Sequence, residues 1–526
     1  MKKSLFSKFT VLLLVFAVSV GFLAGCSSSS DNDESSEVSG DEPKVQASSD
    51  MTFVSATDAV GLSPILTNDS PSTNIIRTIY ETLYVKDEEK GELVPLLAEG
   101  HENPDENTWI IKLKKDIKFQ DGTPFNSEAV KYTFEKILDP ATASPRASLI
   151  KSIDKIETPD EYTVVLHTST PYGIMLTALA HPNLSIVSPS ADQAGDINRE
   201  PKGAGTGPFE FKEWVSGDHI TVVKNENYWA GTPKLDSVIF KVVPEMSTAV
   251  LMLETGEADM ITRIPAEHLD RLKSNSDITV TEMGGTYITY LGFNVTVKPF
   301  DNVKVRQAIA SAINVDEYIP TLNGLGYKSN GIIGPKLIGY NEEIESHGHD
   351  YDVEKAKQLL AEAGYPDGLK VTLTLGNTDT YTKIAPFVQA QLKKIGVEVE
   401  LNTMDWASYL TYTKDMKHEM MLGGWANVTG DGAELLFPQF YSGNIGASNR
   451  TGYNDPEGDA LILKTRTTVD QKERESYLRE ANIKFTEEAI WIPLYHGNVT
   501  LATRNNLKGI ILESTDQFLL NNAYME

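Results

Sequence analysis

The pattern of apolar and polar positions changes character twice along the chain. Met1-Lys2-Lys3 and Lys8 are basic, Phe9 to Leu23 is apolar apart from Thr10, Ser19 and Gly21, and Leu23-Ala24-Gly25-Cys26 closes the stretch with small residues. The apolar run is shorter than the roughly 20 residues a bilayer needs, so 1–25 reads as a secretory signal and not as a membrane span. Ser27 to Asp50 is rich in Ser, Asp and Glu with almost nothing apolar. It cannot bury enough surface to offset its chain entropy, which predicts a disordered acidic tether over 26–50. From Met51 onward periodic patterns begin. Met51 to Val54 reads as a strand, and Asn74 to Leu83 carries Ile75, Ile76, Ile79 and Leu83 at helical spacing. A polar turn is expected at Asn103-Pro104-Asp105, then a half-buried strand over Thr108 to Lys114, where Trp109, Ile111 and Leu113 alternate. Phe119 to Phe125 is a tight turn, and Ser127 is placed to cap a helix running to Ile137. Asp301 precedes a helix with Val305, Ile309 and Ile313 on one face, and Asp352 caps a helix that Gly364 and Pro366 stop. Strands and helices alternate, which is the pattern of an α/β protein.

Composition narrows the class. The chain has 526 residues, 40% hydrophobic and 23% charged, enough for several domains with a sizeable core. The formal net charge of −27 argues against a nucleic-acid partner, which would need clustered Lys and Arg. The single cysteine, Cys26, excludes an internal disulfide and a thiolate zinc site in the body.

Leu23-Ala24-Gly25-Cys26 resembles the lipobox of bacterial lipoproteins. The resemblance implies that Cys26 becomes the mature N-terminus and carries a lipid. The body is then extracytoplasmic and held to the cell membrane through that anchor.

A second resemblance is carried by the body. Leu97-Ala98-Glu99, Thr108-Trp109 and Phe119-Gln120-Asp121-Gly122-Thr123-Pro124-Phe125 are followed by Gly205-Thr206-Gly207-Pro208-Phe209 and Asn225 to Asp236. Gly256-Glu257-Ala258-Asp259, Leu291-Gly292-Phe293-Asn294 and Ala363-Gly364-Tyr365-Pro366 complete the series. In this order they resemble the family 5 extracellular solute-binding proteins, the peptide- and nickel-binding receptors of ABC importers. The resemblance implies a two-lobed, type II periplasmic-binding-protein-like α/β fold with an extra subdomain and a ligand cleft between the lobes. By analogy lobe I takes 51–80, 200–285 and 500–526, the extra subdomain 81–199 and lobe II 286–499. It also implies a monomer that closes about a hinge on a small-molecule or short-peptide ligand and passes it to an ABC permease with its ATPase.

Ligand candidates come from the same comparison. Gly423-Gly424-Trp425-Ala426-Asn427-Val428-Thr429-Gly430-Asp431 matches the segment that offers its backbone to an extended peptide in peptide-binding members. Val428 stands where those members place the aspartate that anchors the peptide ammonium, and Asp431 is the next acidic position of the motif. Trp425, Asn427, Thr429 and Asp431 are therefore candidates, with a core role the alternative for Trp425. The run from Gly424 to Arg450 looks most like the glutathione-binding subgroup. Asn68, Asp69, Ser70 and Thr73 match a loop that pairs with ligand backbone, and a helix cap is compatible with this. Arg146 matches a cleft arginine of nickel-binding members, where a guanidinium could grip a carboxylate; Asn183 and Arg450 follow by the same argument.

Other chemistry is weakly represented. His347-Gly348-His349-Asp350 has metal-ligand residue types on a polar loop, for which a solvated loop is the simpler reading. No His-Glu-x-x-His or Gly-x-Ser-x-Gly is present, Gly205-Thr206-Gly207 lacks the spacing of a phosphate loop, and no cofactor, metal site or catalytic set is expected. A nickel or metal-chelate receptor and a signalling lipoprotein remain as alternatives.

Overall fold

The computed structural model describes residues 49–526. The signal over 1–25, Cys26 and nearly all of the 26–50 tether lie outside the described residues. No helix among the described residues is long and apolar enough to cross a membrane.

One long sheet runs through the molecule. Its spatial order is Val397–Met404, Leu369–Gly376, Met420–Ala426, Ile278–Phe293, Trp491–Arg504, Met260–Thr262, Asp50–Ser55, Ser237–Val242, His219–Lys224 and Phe209–Val215. The two longest strands, Ile278–Phe293 and Trp491–Arg504, are antiparallel and belong to both halves of this sheet. Residues 278–284 pair with 498–504, residues 288–292 pair with 491–496, and the register breaks between Gly284 and Ile288. A Cβ on Gly285 would lie 2.9 Å from the Gly497 carbonyl oxygen, so the chains approach this closely at the break because residue 285 is glycine.

Each half has its own core. Phe293, Phe300, Ile309, Leu373, Ile384 and Val388 form one on the side of Leu369–Gly376, with the Val303–Ala312 helix packed on it. Val54, Val250, Leu253, Ile261 and Leu269 form a smaller one on the other side. A third and larger core continues from Ile76 and Ile79 through the four-stranded antiparallel sheet over Ala98–Thr168 to Leu435, Phe440 and Phe485. Burying each such side chain contributes about 1.5–3 kcal/mol before chain entropy is counted.

The strand over Thr108–Leu113 follows its alternation, with Trp109, Ile111 and Leu113 buried. Asp352 caps Val353–Glu362 by accepting from Lys355 N, and Gly364 follows at φ 94°. Other boundaries differ from expectation. The first helix is Ser70–Ile79, not Asn74–Leu83, because Asp69 caps it and Pro71 sits in its first turn. Asn126 and Asn302, not Ser127 and Asp301, cap the next two helices in question. Asn103-Pro104-Asp105 is extended and belongs to the exposed strand Ala98–Asp105. The close turn expected at Gly205-Thr206-Gly207 packs on the end of the first helix, where side chains on either glycine would collide with the Ile79 carbonyl.

Candidate ligand cleft

The edge of Met420–Ala426 lies beside the break in the long strands. On one side it pairs with Ile278–Phe293 throughout, from Phe293↔Met420 to Tyr287↔Ala426. On the other it pairs with Leu369–Gly376 only at Met420 and Met421. Among the described residues, the backbone of Gly423–Ala426 therefore has no neighbouring strand on that side. The two glycines are required by aromatic rings: a Cβ on Gly423 would meet the Tyr290 ring, and one on Gly424 would collide with the Tyr287 hydroxyl. Trp425 is half-buried against the large core and its indole nitrogen has no partner. Trp406 is 46% exposed and stacks on Tyr409, with ring centroids 5.2 Å apart. Tyr287 and Trp406, which the sequence did not nominate, thus add exposed aromatic surface beside the free edge.

The loop that follows is built around Asn427. Its Oδ1 accepts from Thr429 N, Thr429 Oγ1 and Gly430 N, and its Nδ2 donates to the Asp431 carbonyl at 2.7 Å. These bonds fix the turn that exposes Val428, which is 44% accessible. Asn427 is buried and acts on the loop, not on a ligand. The expectation that Asp431 replaces the missing amine anchor is corrected. Its carboxylate is fully buried and accepts from Arg474 Nη1 at 3.1 Å, Arg474 Nη2 at 2.9 Å, Thr177 Oγ1 at 2.7 Å and Ala433 N at 2.9 Å. Burial raises the Asp431 pKa, and the Arg474 charge with these bonds brings it to a net depression. Every acceptor position is occupied, so nothing is left for a ligand ammonium.

Opposite this loop lies a cluster of cations. Val428 and Thr429 line one groove together with Arg77, Lys86, His181, Glu513 and Gln517. Arg77 donates to Glu513 at 2.5 Å and to Gln517 at 2.9 Å. Burial raises the Glu513 carboxyl even with Arg77 beside it. Lys86 donates to the Lys336 carbonyl at 3.0 Å and to Ser514 Oγ at 3.1 Å. Burial first, then the charges of Arg146 and Arg77, push His181 down to about 3, so its ring is neutral. Arg146 is half-buried, its Nε has no partner, and among the described residues no carboxylate lies within ion-pair distance of it. Among the described residues its guanidinium makes one hydrogen bond, a long one, 3.4 Å from Nη2 to the Asn68 carbonyl. Burial lowers its pKa, the mark of a cation without a counter-charge.

The remaining candidates divide. Asp69 caps the first helix through Ser72 N at 2.9 Å, but its Oδ2 is buried and free; Thr73 Oγ1 donates to the Asp69 carbonyl; Ser70 begins the helix. Asn68 is exposed beside Arg146. Asn183 is corrected: it is buried, and its amide donates to the Pro64 and Thr67 carbonyls, which pins the loop under Asn68. Arg450 donates to Thr413 Oγ1 at 2.6 Å and does not join the cluster. His347 and His349 are tied to the end of the Gln471–Glu487 helix through Glu487 and the Thr486 carbonyl. Among the described residues no group of three His, Cys, Asp or Glu could hold a metal ion.

The profile described as bacterial extracellular solute-binding proteins, family 5 Middle, matches residues 92–447. The chain is 32% identical over 492 residues to the glutathione-binding protein GsiB of Pectobacterium atrosepticum, covering 91% of this chain and 95% of that protein. Its fold matches HbpA2 from Haemophilus parasuis with a TM-score of 0.84 and 26% identity, over 91% of this chain and 100% of the other. It also matches the periplasmic binding protein DppA from Helicobacter pylori in complex with the peptide STSA, with a TM-score of 0.69 and 29% identity over 91% and 98% of the two chains. The two-lobed type II fold read from the sequence is the fold observed.

Proposed function

The chain belongs to the family 5 bacterial extracellular solute-binding proteins, and from that premise we propose that it captures a short peptide or glutathione and delivers it to an ABC importer. The observation that carries the ligand class is Arg146. A half-buried guanidinium with no carboxylate within ion-pair distance among the described residues calls for an anion. A peptide supplies both a carboxylate for Arg146 and backbone groups for Gly423–Ala426. Asn68, Asp69, Ser70 and Thr73 stay in this reading as the wall beside Arg146, and Trp425, Thr429, Tyr287 and Trp406 as the opposite wall. Val428 removes the fixed negative charge for an ammonium, so carboxylate contacts dominate selectivity.

Lobe closure pivots at Gly285 and Gly497, where the long strands change register. The protein works as a monomer, without a cofactor and without catalysis, held at the outer face of the cell membrane by lipid on Cys26. The test is thermal stability against glutathione, di- to pentapeptides, and nickel with and without histidine. A ligand at a hundredfold excess over its dissociation constant stabilises by about 2.7 kcal/mol. Peptides or glutathione should raise the melting temperature and Arg146→Ala should remove the rise. A rise with nickel and histidine alone would replace this reading with that of a metal-chelate receptor.

A further inference from the structure

A cavity of about 420 Å³ opens in lobe II away from the groove just described and shares no residue with it. It lies beside Trp491, Ile492 and Pro493, at the end of the long strand remote from Gly497. Its size is within the range of small-ligand pockets, roughly 300–1,000 Å³. Ile313, Val315, Ile492 and Pro493 supply apolar wall.

Several donors of the wall are already engaged. Asn314 gives its amide to Glu317 at 3.0 Å, and Asn330 gives its amide to the Glu345 carbonyl at 2.8 Å. His349 donates Nε2–H to the Thr486 carbonyl at 3.1 Å, and burial lowers its pKa. Lys328, the lining cation, is paired with Asp316 at 2.8 Å. Among the described residues the Oδ1 of Asn314 and of Asn330 accept no hydrogen bond, and the carboxylate of Asp350 has no ion pair. The buried Thr486 hydroxyl is also unpartnered. With Lys328 paired to Asp316, Asp350 is the carboxylate of the wall without an ion pair among the described residues, and beside the amide oxygens and the Thr486 hydroxyl, in a chain of net charge −27, it selects a donor-rich cation.

We propose that this cavity is a second binding site, for a compact organic cation: a primary ammonium on a short apolar chain. The ammonium has three N–H donors for Asp350 and the amide oxygens, and the apolar chain covers Ile313, Ile492 and Pro493. The site is independent of the peptide reading, because nothing in its wall belongs to the cleft.

The test is calorimetric titration of the full chain with isopentylammonium chloride, with isopentanol as the neutral control. One-to-one saturable binding of the amine is expected, with isopentanol at least tenfold weaker. Asp350→Asn, at an exposed position, should weaken the amine at least tenfold, and Asp350→Lys should abolish its binding. Trp425→Ala should bind the amine as the parent chain does. Absence of binding, equal binding of isopentanol, an Asp350→Lys chain that binds as the parent does, or a loss confined to Trp425→Ala would each overturn the proposal.

Discussion

Asp431 and Arg474 form a two-pronged ion pair with both side chains out of contact with water, 3.1 Å from Oδ1 to Nη1 and 2.9 Å from Oδ2 to Nη2. Thr177 joins the pair from another part of the chain through its 2.7 Å bond to Oδ2. The pair therefore welds the start of the Ala433–Phe440 helix to the Gln471–Glu487 helix and to the Met175–Leu179 segment.

Removing one partner leaves a buried charge uncompensated, which costs about 3–5 kcal/mol. Asp431→Ala should lower the urea midpoint accordingly, while ligand affinity of the molecules that remain folded changes less than tenfold. The double change Asp431→Leu with Arg474→Met should recover most of the stability. An Asp431→Ala chain of parental stability that has lost its ligand would restore Asp431 to the role of an anchor.

Arg146 should behave in the opposite way. It has no ion pair to lose, so Arg146→Ala should shift stability by less than about 1 kcal/mol. Loss of a charge-assisted contact to a ligand carboxylate should weaken binding roughly 10- to 100-fold, since such contacts contribute about 1.5–3 kcal/mol. Chemical denaturation and calorimetric titration of the same preparation separate the two effects.

Gly424→Ala should displace the Tyr287 ring, because the added methyl would occupy the position of its hydroxyl. Free-edge binding then weakens although no ligand-contacting atom is removed. A chain carrying both Gly424→Ala and Tyr287→Phe should regain affinity in the same titration; no recovery would mean that the glycine serves the ligand directly.

Three buried histidines set the acid limit. Burial pushes His418 and His496 down to about 4 and, with the two arginines, His181 to about 3. Their unfolded value is near 6.5, so between pH 6.5 and 4 the unfolded chain binds protons that the folded one refuses. Stability is then full above about pH 6.5 and falls as pH drops toward 4, by up to about 3 kcal/mol per ring. His418 has neither ring nitrogen bonded. His418→Leu should thus be near neutral at pH 7.5 and stabilising at pH 5, as followed by melting temperature against pH.

Local features of this fold were legible in the sequence where they depend on neighbours. Alternation placed Thr108–Leu113, and Asp352 with Gly364 bracketed a helix, because caps and periodicity act over a few residues. The first helix was misplaced by its apolar spacing, since Leu83 is buried by tertiary packing and not by that helix. Arg474 lies 43 positions from Asp431, and no periodic signal links them. The motif marked Asp431 as important without saying that its charge was already matched. Arg77 and His181 were missed for the same reason: each reads as an ordinary residue of its own segment, and only the folded chain brings them to Val428. Gly423 and Gly424 signalled close approach, but the approaching groups are tyrosines.

The central claim, closure of two lobes on a peptide-like ligand, is tested most directly by the distance between spin labels at Leu251 and Lys383, both exposed, one on the helix Met246–Thr255 and one on the helix Asp379–Lys393. Saturation with glutathione or a peptide that stabilises the chain should move the distance distribution to shorter values, and Arg146→Ala should return it to that of the free protein. A distribution that stays unchanged under every ligand of the panel would contradict the account.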